Sequence, residues 1–188
     1  MHIVLLGDSV FDNGFYTNGG PDVISQVREL LPEGSSVSLL AVDGSTTEVI
    51  PSQMERTPAD ATHLVLSVGG NDAIKSLGVV DGFEEDYRSA VAACLKPGLP
   101  LTVCTIYHGW FSNPEYQRSV ATAITAFNDV IIRVAGELKI PVIDLRLVCN
   151  SPVDFSNSIE PSVTGGGTIA RTIVEAVKRS GTGTVEVI

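Results

Sequence analysis

The stretch Ile3-Val4-Leu5-Leu6-Gly7-Asp8-Ser9-Val10-Phe11-Asp12-Asn13-Gly14 decides how the chain is read. Its first four residues are apolar without a break. They are too few for an amphipathic helix and too uniform for a strand with one wet face, so they predict a strand buried on both sides. Gly7-Asp8-Ser9 then lies at that strand's carboxyl end, where an open parallel sheet meets its ligands and where the next helix offers its N-terminal amides. Ser9 is a nucleophile in the right place. Asp and Ser also cap helices well, so the tripeptide alone does not decide between chemistry and capping.

Working outward, the pattern repeats. A helix is predicted through Val23, Val27, Leu30 and Leu31, started by Pro21 and stopped by Pro32 and Gly34. Val37 to Val42 predicts a second strand running into Asp43-Gly44-Ser45-Thr46-Thr47, and Leu64 to Val68 a third ending in Gly69-Gly70-Asn71-Asp72. An alanine-rich helix from about Phe83 to Leu95 precedes strand four, Leu101 to Ile106, which opens into Tyr107-His108-Gly109-Trp110-Phe111. The longest helix spans roughly Pro114 to Leu138, with Val120, Ile124, Phe127, Ile131 and Val134 at spacings of three and four. Pro141 to Leu145 is the fifth strand. A stretch without periodicity, Arg146 to Pro161, leads to a closing helix from about Val163 to Lys178, and a loop of that length suggests a functional role. Five strands alternating with helices specify a three-layer α/β/α domain with right-handed crossovers and a five-stranded parallel sheet in the flavodoxin-like order 2-1-3-4-5. One domain over residues 1–188 is expected; the tail Gly181 to Ile188 receives no assignment.

Composition narrows the partners. Twelve Lys and Arg against 22 Asp and Glu give a formal charge of -10, which repels phosphate backbones and anionic lipid, so neither nucleic acid nor membrane insertion is expected. Cys94, Cys104 and Cys149 are odd in number and lack metal-ligand spacing, which argues for buried thiols rather than a disulfide framework or zinc. No metal or cofactor is expected; a flavin phosphate would be repelled by Asp8 and Asp12 at the first loop. With the first strand beginning by residue 3 and no signal-like segment before it, the expected location is cytoplasmic.

Three loops thus offer Ser9, Gly44 and Asn71 to one edge of the sheet, on strands about 4.8 Å apart. A serine attacking an ester carbonyl creates an oxyanion that needs two or three fixed donors. The Ser9 N–H, the Gly44 N–H and the Asn71 side-chain amide are of the right kind. Glycine leaves the amide unobstructed, and asparagine is a neutral donor that survives burial. With this set the chain resembles the SGNH (GDSL-type) hydrolases, whose blocks are similar to Gly7-Asp8-Ser9-x-x-Asp12-x-Gly14, Asp43-Gly44-Ser45 and Gly69-Gly70-Asn71-Asp72 here. The resemblance implies a serine ester hydrolase or acyltransferase acting on a small-molecule ester without a metal.

The final block departs from that pattern. Where the family carries an aspartate and, three residues later, a histidine, this chain has Asn157 and Glu160. His2 and His63 precede strands and so sit at the opposite edge, roughly 16–20 Å from Ser9. His108 is at the correct edge, about 10 Å away across two strands, and is an alternative base. Glu160 is the favoured one, although its ordinary pKa of about 4.3 against about 6.5 for histidine leaves about 3 kcal/mol less drive to take the proton. A second buried carboxylate would recover some of that, and Asp154, six residues upstream, is the expected tuner, with Asn157 beside it. Asp8, Tyr107, His108 and Trp110 are expected around the pocket, with Phe111 and Tyr116. The competing expectation is a binding module for acylated sugars or similar ligands that kept the oxyanion cradle and lost its base.

Overall fold

The opening strand is β1, His2–Gly7, in which Ile3, Val4, Leu5 and Leu6 are wholly buried. The computed structural model that shows this describes residues 1–180, so the tail 181–188 lies outside the described residues. Beside β1 lie β2 (Ser36–Leu39), β3 (His63–Ser67), β4 (Leu101–Cys104) and β5 (Val142–Ile143). All neighbours are parallel, in the order β2-β1-β3-β4-β5 that the alternation of elements predicts.

Residue alternation along the strands sorts the core into two layers, because successive side chains point to opposite faces. Val4, Leu6, Leu64, Leu66 and Val103 face α2 (Ile50–Met54), α4 (Phe83–Leu95) and α5 (Pro114–Leu138). Ile3, Leu5, Val65, Cys104 and Ile143 face α1 (Val23–Leu30) and α7 (Val163–Ser180). Each fully buried side chain of this kind stabilises the fold by about 1.5–3 kcal/mol. α5 is long and apolar enough to cross a bilayer by length and composition, but Phe127, Ile131 and Val134 on its buried face belong to the sheet's core.

Three strand ends differ from expectation: β4 stops at Cys104 instead of Ile106, whose N–H and carbonyl turn to the Asn128 side chain at 2.7 and 2.8 Å, and the other two differences serve the carboxyl edge. β2 stops at Leu39 because the N–H groups of Leu40 and Ala41 both turn to the Leu5 carbonyl, at 2.8 and 3.0 Å. Val42 then donates to the Gly7 carbonyl at 3.0 Å, so the chain stays beside β1 and delivers the 43–47 loop next to Gly7. β5 is two residues long because the Asp144 carboxylate caps α6 (Leu145–Val148) by accepting from the Arg146 N–H. α3 (Gly70–Lys75) begins directly after the β3 loop.

Candidate active site

The turn that carries Ser9 is fixed by sterics first. Gly7 has φ +127°, and a Cβ there would lie 1.7 Å from the Ser67 carbonyl oxygen, so only glycine fits between β1 and β3. The Asp8 carbonyl accepts from the N–H groups of Phe11 and Asp12, both at 3.1 Å, and the Asp8 carboxylate accepts from Val10 N–H at 3.1 Å. These bonds close a tight turn around Ser9, which is 8% exposed and lines a cavity of about 140 Å³ shared with Asp8, Asn71, Tyr107, His108 and Glu160. Among the described residues the Ser9 N–H has no acceptor, leaving it free for a ligand.

A buried glutamine that sequence reasoning missed ties the three loops together. Gln53, on α2, accepts from the Gly7 N–H and donates to the Gly7 carbonyl, both at 2.8 Å, meeting both backbone polar groups of that residue. Its amide also donates to the Ser45 hydroxyl at 3.2 Å, and the Ser45 carbonyl accepts from the Asn71 side-chain amide at 3.0 Å. One Asn71 N–H is thus engaged and orients the other, and Asn71 is in the cavity wall. Gly44 sits in the turn closed by Ser45 N–H on the Val42 carbonyl, at φ +78°, exposed and outside the cavity wall. The structure therefore brings Ser9 and Asn71 into one cavity and leaves Gly44 beside it.

Glu160 is 7% exposed although its neighbours 156–159 are exposed, because the 155–161 hairpin turns it inward. The Asn157 side-chain oxygen accepts from both the Ile159 and Glu160 N–H groups at 2.9 Å, Phe155 bridges to Pro161, and the Tyr107 hydroxyl donates to the Ile159 carbonyl at 2.6 Å. From the first block, Asn13 donates to the Pro161 carbonyl at 3.2 Å while accepting from Val23 N–H at 2.9 Å. Burial pushes the Glu160 pKa up, the nearby Ser9 hydroxyl pulls it down, and the charge of Asp43 pushes it up again. Glu160 Oε2 is buried with no partner among the described residues.

Asp8 is pushed up to about 7, by burial above all, with the Val10 N–H opposing and Glu160, Asp72 and Asp43 adding repulsion.

Several expected placements are corrected. Asp154 is buried but does not tune Glu160; its carboxylate accepts from the N–H groups of Asn150 at 3.1 Å and Ser151 at 2.9 Å, capping the short turn Pro152–Asp154. The acid that acts on Glu160 is Asp43, held by its own N–H on the Asp12 carboxylate at 2.9 Å. Trp110 is 45% exposed and outside the cavity wall, with its backbone N–H on the Ser158 carbonyl at 2.7 Å. Asn157 is exposed and shapes the turn rather than the pocket. Tyr107 and His108 do line the cavity, but the Tyr107 hydroxyl is engaged by Ile159. His108 is held below its ordinary pKa by burial and by Arg146, with Asp144 opposing, so its charged surroundings are those of α6 and not of Ser9. His2 and His63 sit at the opposite edge, on Asp60 and Thr62.

Among the described residues no group of three or more His, Cys, Asp or Glu side chains could hold a metal ion, and the three cysteines are free and buried. The arrangement can hold a carbonyl oxygen on neutral donors while a buried carboxylate accepts a hydroxyl proton, which is the equipment for acyl transfer.

The model of the GDSL-like lipase/acylhydrolase family matches residues 5–164. Among solved structures, a member of the lipolytic G-D-S-L family from Veillonella parvula superposes with TM-score 0.77 at 17% identity, covering 95% of this chain and 99% of that one. An acetylxylan esterase from Geobacillus stearothermophilus gives 0.71 at 19%, covering 94% and 93%. A carbohydrate acetylesterase from Sinorhizobium meliloti gives 0.72 at 12%, covering 94% and 98%. At these identities the likeness is one of fold. No curated protein matches the chain.

Proposed function

From membership of the GDSL-like lipase/acylhydrolase family, to which this chain belongs, we propose a serine ester hydrolase in which Ser9 is the nucleophile and Glu160 the base. The Ser9 Oγ attacks the ester carbonyl while its proton passes to Glu160. Negative charge gathers on the carbonyl oxygen, held by the Ser9 N–H and the second N–H of Asn71. Glu160 then returns the proton to the departing alcohol, and water, activated by the same carboxylate, releases the acyl group. Asp8 touches the cavity wall but is assigned no proton transfer.

The observation that supports this reading best is the burial of Glu160 against the Ser9 hydroxyl, in the register where the family carries its histidine. An exposed carboxylate would be too weak a base; desolvation and the Asp43 charge move this one toward the operating pH. The acetyl esters in the names of the two carbohydrate-esterase neighbours are a reasonable first substrate class. A serine-directed fluorophosphonate tests the nucleophile. Labelling of Ser9, absent in Ser9→Ala and rising with pH as Glu160 ionises, is expected; turnover of an aryl acetate that persists in Ser9→Ala would overturn the assignment. Ligand binding with no serine-dependent turnover on any ester would favour the binding-module reading.

A further inference from the structure

We infer that this site is built for an unbranched aliphatic acyl chain several carbons long rather than for acetyl alone. The inference rests on the hydrolase reading and deepens it. Away from the reacting atoms, the cavity wall is made by Val68, Ile74, Ile106, Val120, Ile124 and Phe111. On α5, Tyr116, Val120 and Ile124 recur at every fourth residue, so they form one stripe along one helix face. Asn71 and Ile74, three apart on α3, face the stripe. The charged residues of α3 and of the first turns of α5, Asp72, Lys75, Glu115 and Arg118, stay out of the wall. A sugar ring laid there would find only the Tyr116 hydroxyl and the His108 Nε2 for its several hydroxyls, whereas methylenes would be favourably desolvated.

The layering says which half of the ester lies in this trough. Glu160 comes from the side of the sheet covered by α1 and α7, through a hairpin anchored on Asn13 and Tyr107. Ile124, with Ile106 and Val120 packed against its cluster, belongs to the opposite layer, under α4 and α5. A departing alcohol must collect its proton from Glu160 and so leaves on the α1/α7 side, which gives the trough to the acyl group. Ile74 and Tyr116 are each 56% exposed although both line the cavity, so the trough opens to solvent there and does not end in a wall.

The test is a series of p-nitrophenyl esters from acetyl to dodecanoyl, each below its micelle concentration, with the wild-type chain. The ratio kcat/KM should rise up to about fourfold per methylene until the trough is filled, then level off without collapse, because the far end is open. Ile124→Trp should move the optimum toward acetyl. A maximum at acetyl in the wild type, with longer chains progressively worse, overturns the inference and leaves the hydrolase reading standing. If no ester gives serine-dependent turnover, the hydrolase reading fails, and the trough is read separately on Ser9→Ala. There methyl octanoate should raise the melting temperature where methyl acetate does not, and Ile124→Trp should abolish that shift; equal effects of the two esters would sink it.

Discussion

Replacing Glu160 by Gln separates catalysis from stability within a single side chain. The amide has the same shape and keeps the polar contact with the Ser9 hydroxyl, but it cannot take a proton at any working pH. Loss of a general base removes about 10²–10⁴ in rate, or about 3–5 kcal/mol of barrier. With the proposed oxyanion donors on Ser9 and Asn71 left in place, activity should fall steeply without vanishing. Stability should move in the opposite direction. The folded pKa of Glu160 lies above its unfolded value. Over the pH range between the two values the folded state holds a proton that the unfolded state has released, and folding free energy is lost as pH rises through it. Above that window the wild type carries a buried charge that the variant lacks. Glu160→Gln should therefore be at least as stable as wild type near pH 7, and the difference should close as pH falls below the unfolded carboxylate range. Initial rates on a short-chain aryl ester and urea midpoints at pH 4 and 7.5 measure both. A variant within about threefold of wild-type kcat/KM would refute the base assignment, above all if His108→Ala were inactive. A variant destabilised at pH 7.5 and not at pH 4 would refute the electrostatic account.

The other expectations follow from neighbouring groups. Asn71→Ala should lower kcat by about 10²–10³ with little change in KM, since the second amide N–H meets charge that exists only in the transition state; a pure KM effect would reassign it to ground-state binding. For Asp8, raised from 3.8 to about 7, the folded state again binds the extra proton. Stability should be greatest below pH 4 for this group and decline by about 4 kcal/mol as pH rises through 7, an order-of-magnitude figure; Asp8→Asn should flatten that slope in urea titrations, and an unchanged slope would place the titration elsewhere. Gln53→Leu would strand the Gly7 N–H, costing about 1–3 kcal/mol, and leave the Gly7 carbonyl to the Val42 N–H alone. A shift of the unfolding midpoint worth about 1–3 kcal/mol, accompanied by a fall in kcat larger than stability explains, is expected; a neutral substitution would show that the Gly7 N–H finds another partner.

The strand order and the carboxyl-edge location of Ser9 and Asn71 were readable because they rest on local signals: an uninterrupted apolar run, a glycine, a polar loop, repeated three times. Glu160 was readable by register with the family's final block, not by periodicity. What holds it inward is a side-chain turn at Asn157 and backbone bonds across the hairpin, and such bonds leave no periodic trace. Asp154 misled for the same reason. Six residues are enough for a hairpin to reverse direction, and its carboxylate was claimed by two adjacent amides. Gln53 and Asn13 were illegible because a buried polar residue announces its partners only in three dimensions. Asn13 lay inside the first block, but nothing in sequence points it at a carbonyl 148 positions away.

That long-range bond sets how the molecule would fail under stress. Beyond Phe155, which packs into the core against Tyr107 at its base, the 155–161 hairpin rests on a few polar contacts with the first loop and with Tyr107, while the five strands are locked by apolar packing. Under mild denaturant the hairpin should swing free before the sheet melts. Enzymatic output would then decline while far-ultraviolet dichroism stayed constant, making activity an early warning of unfolding.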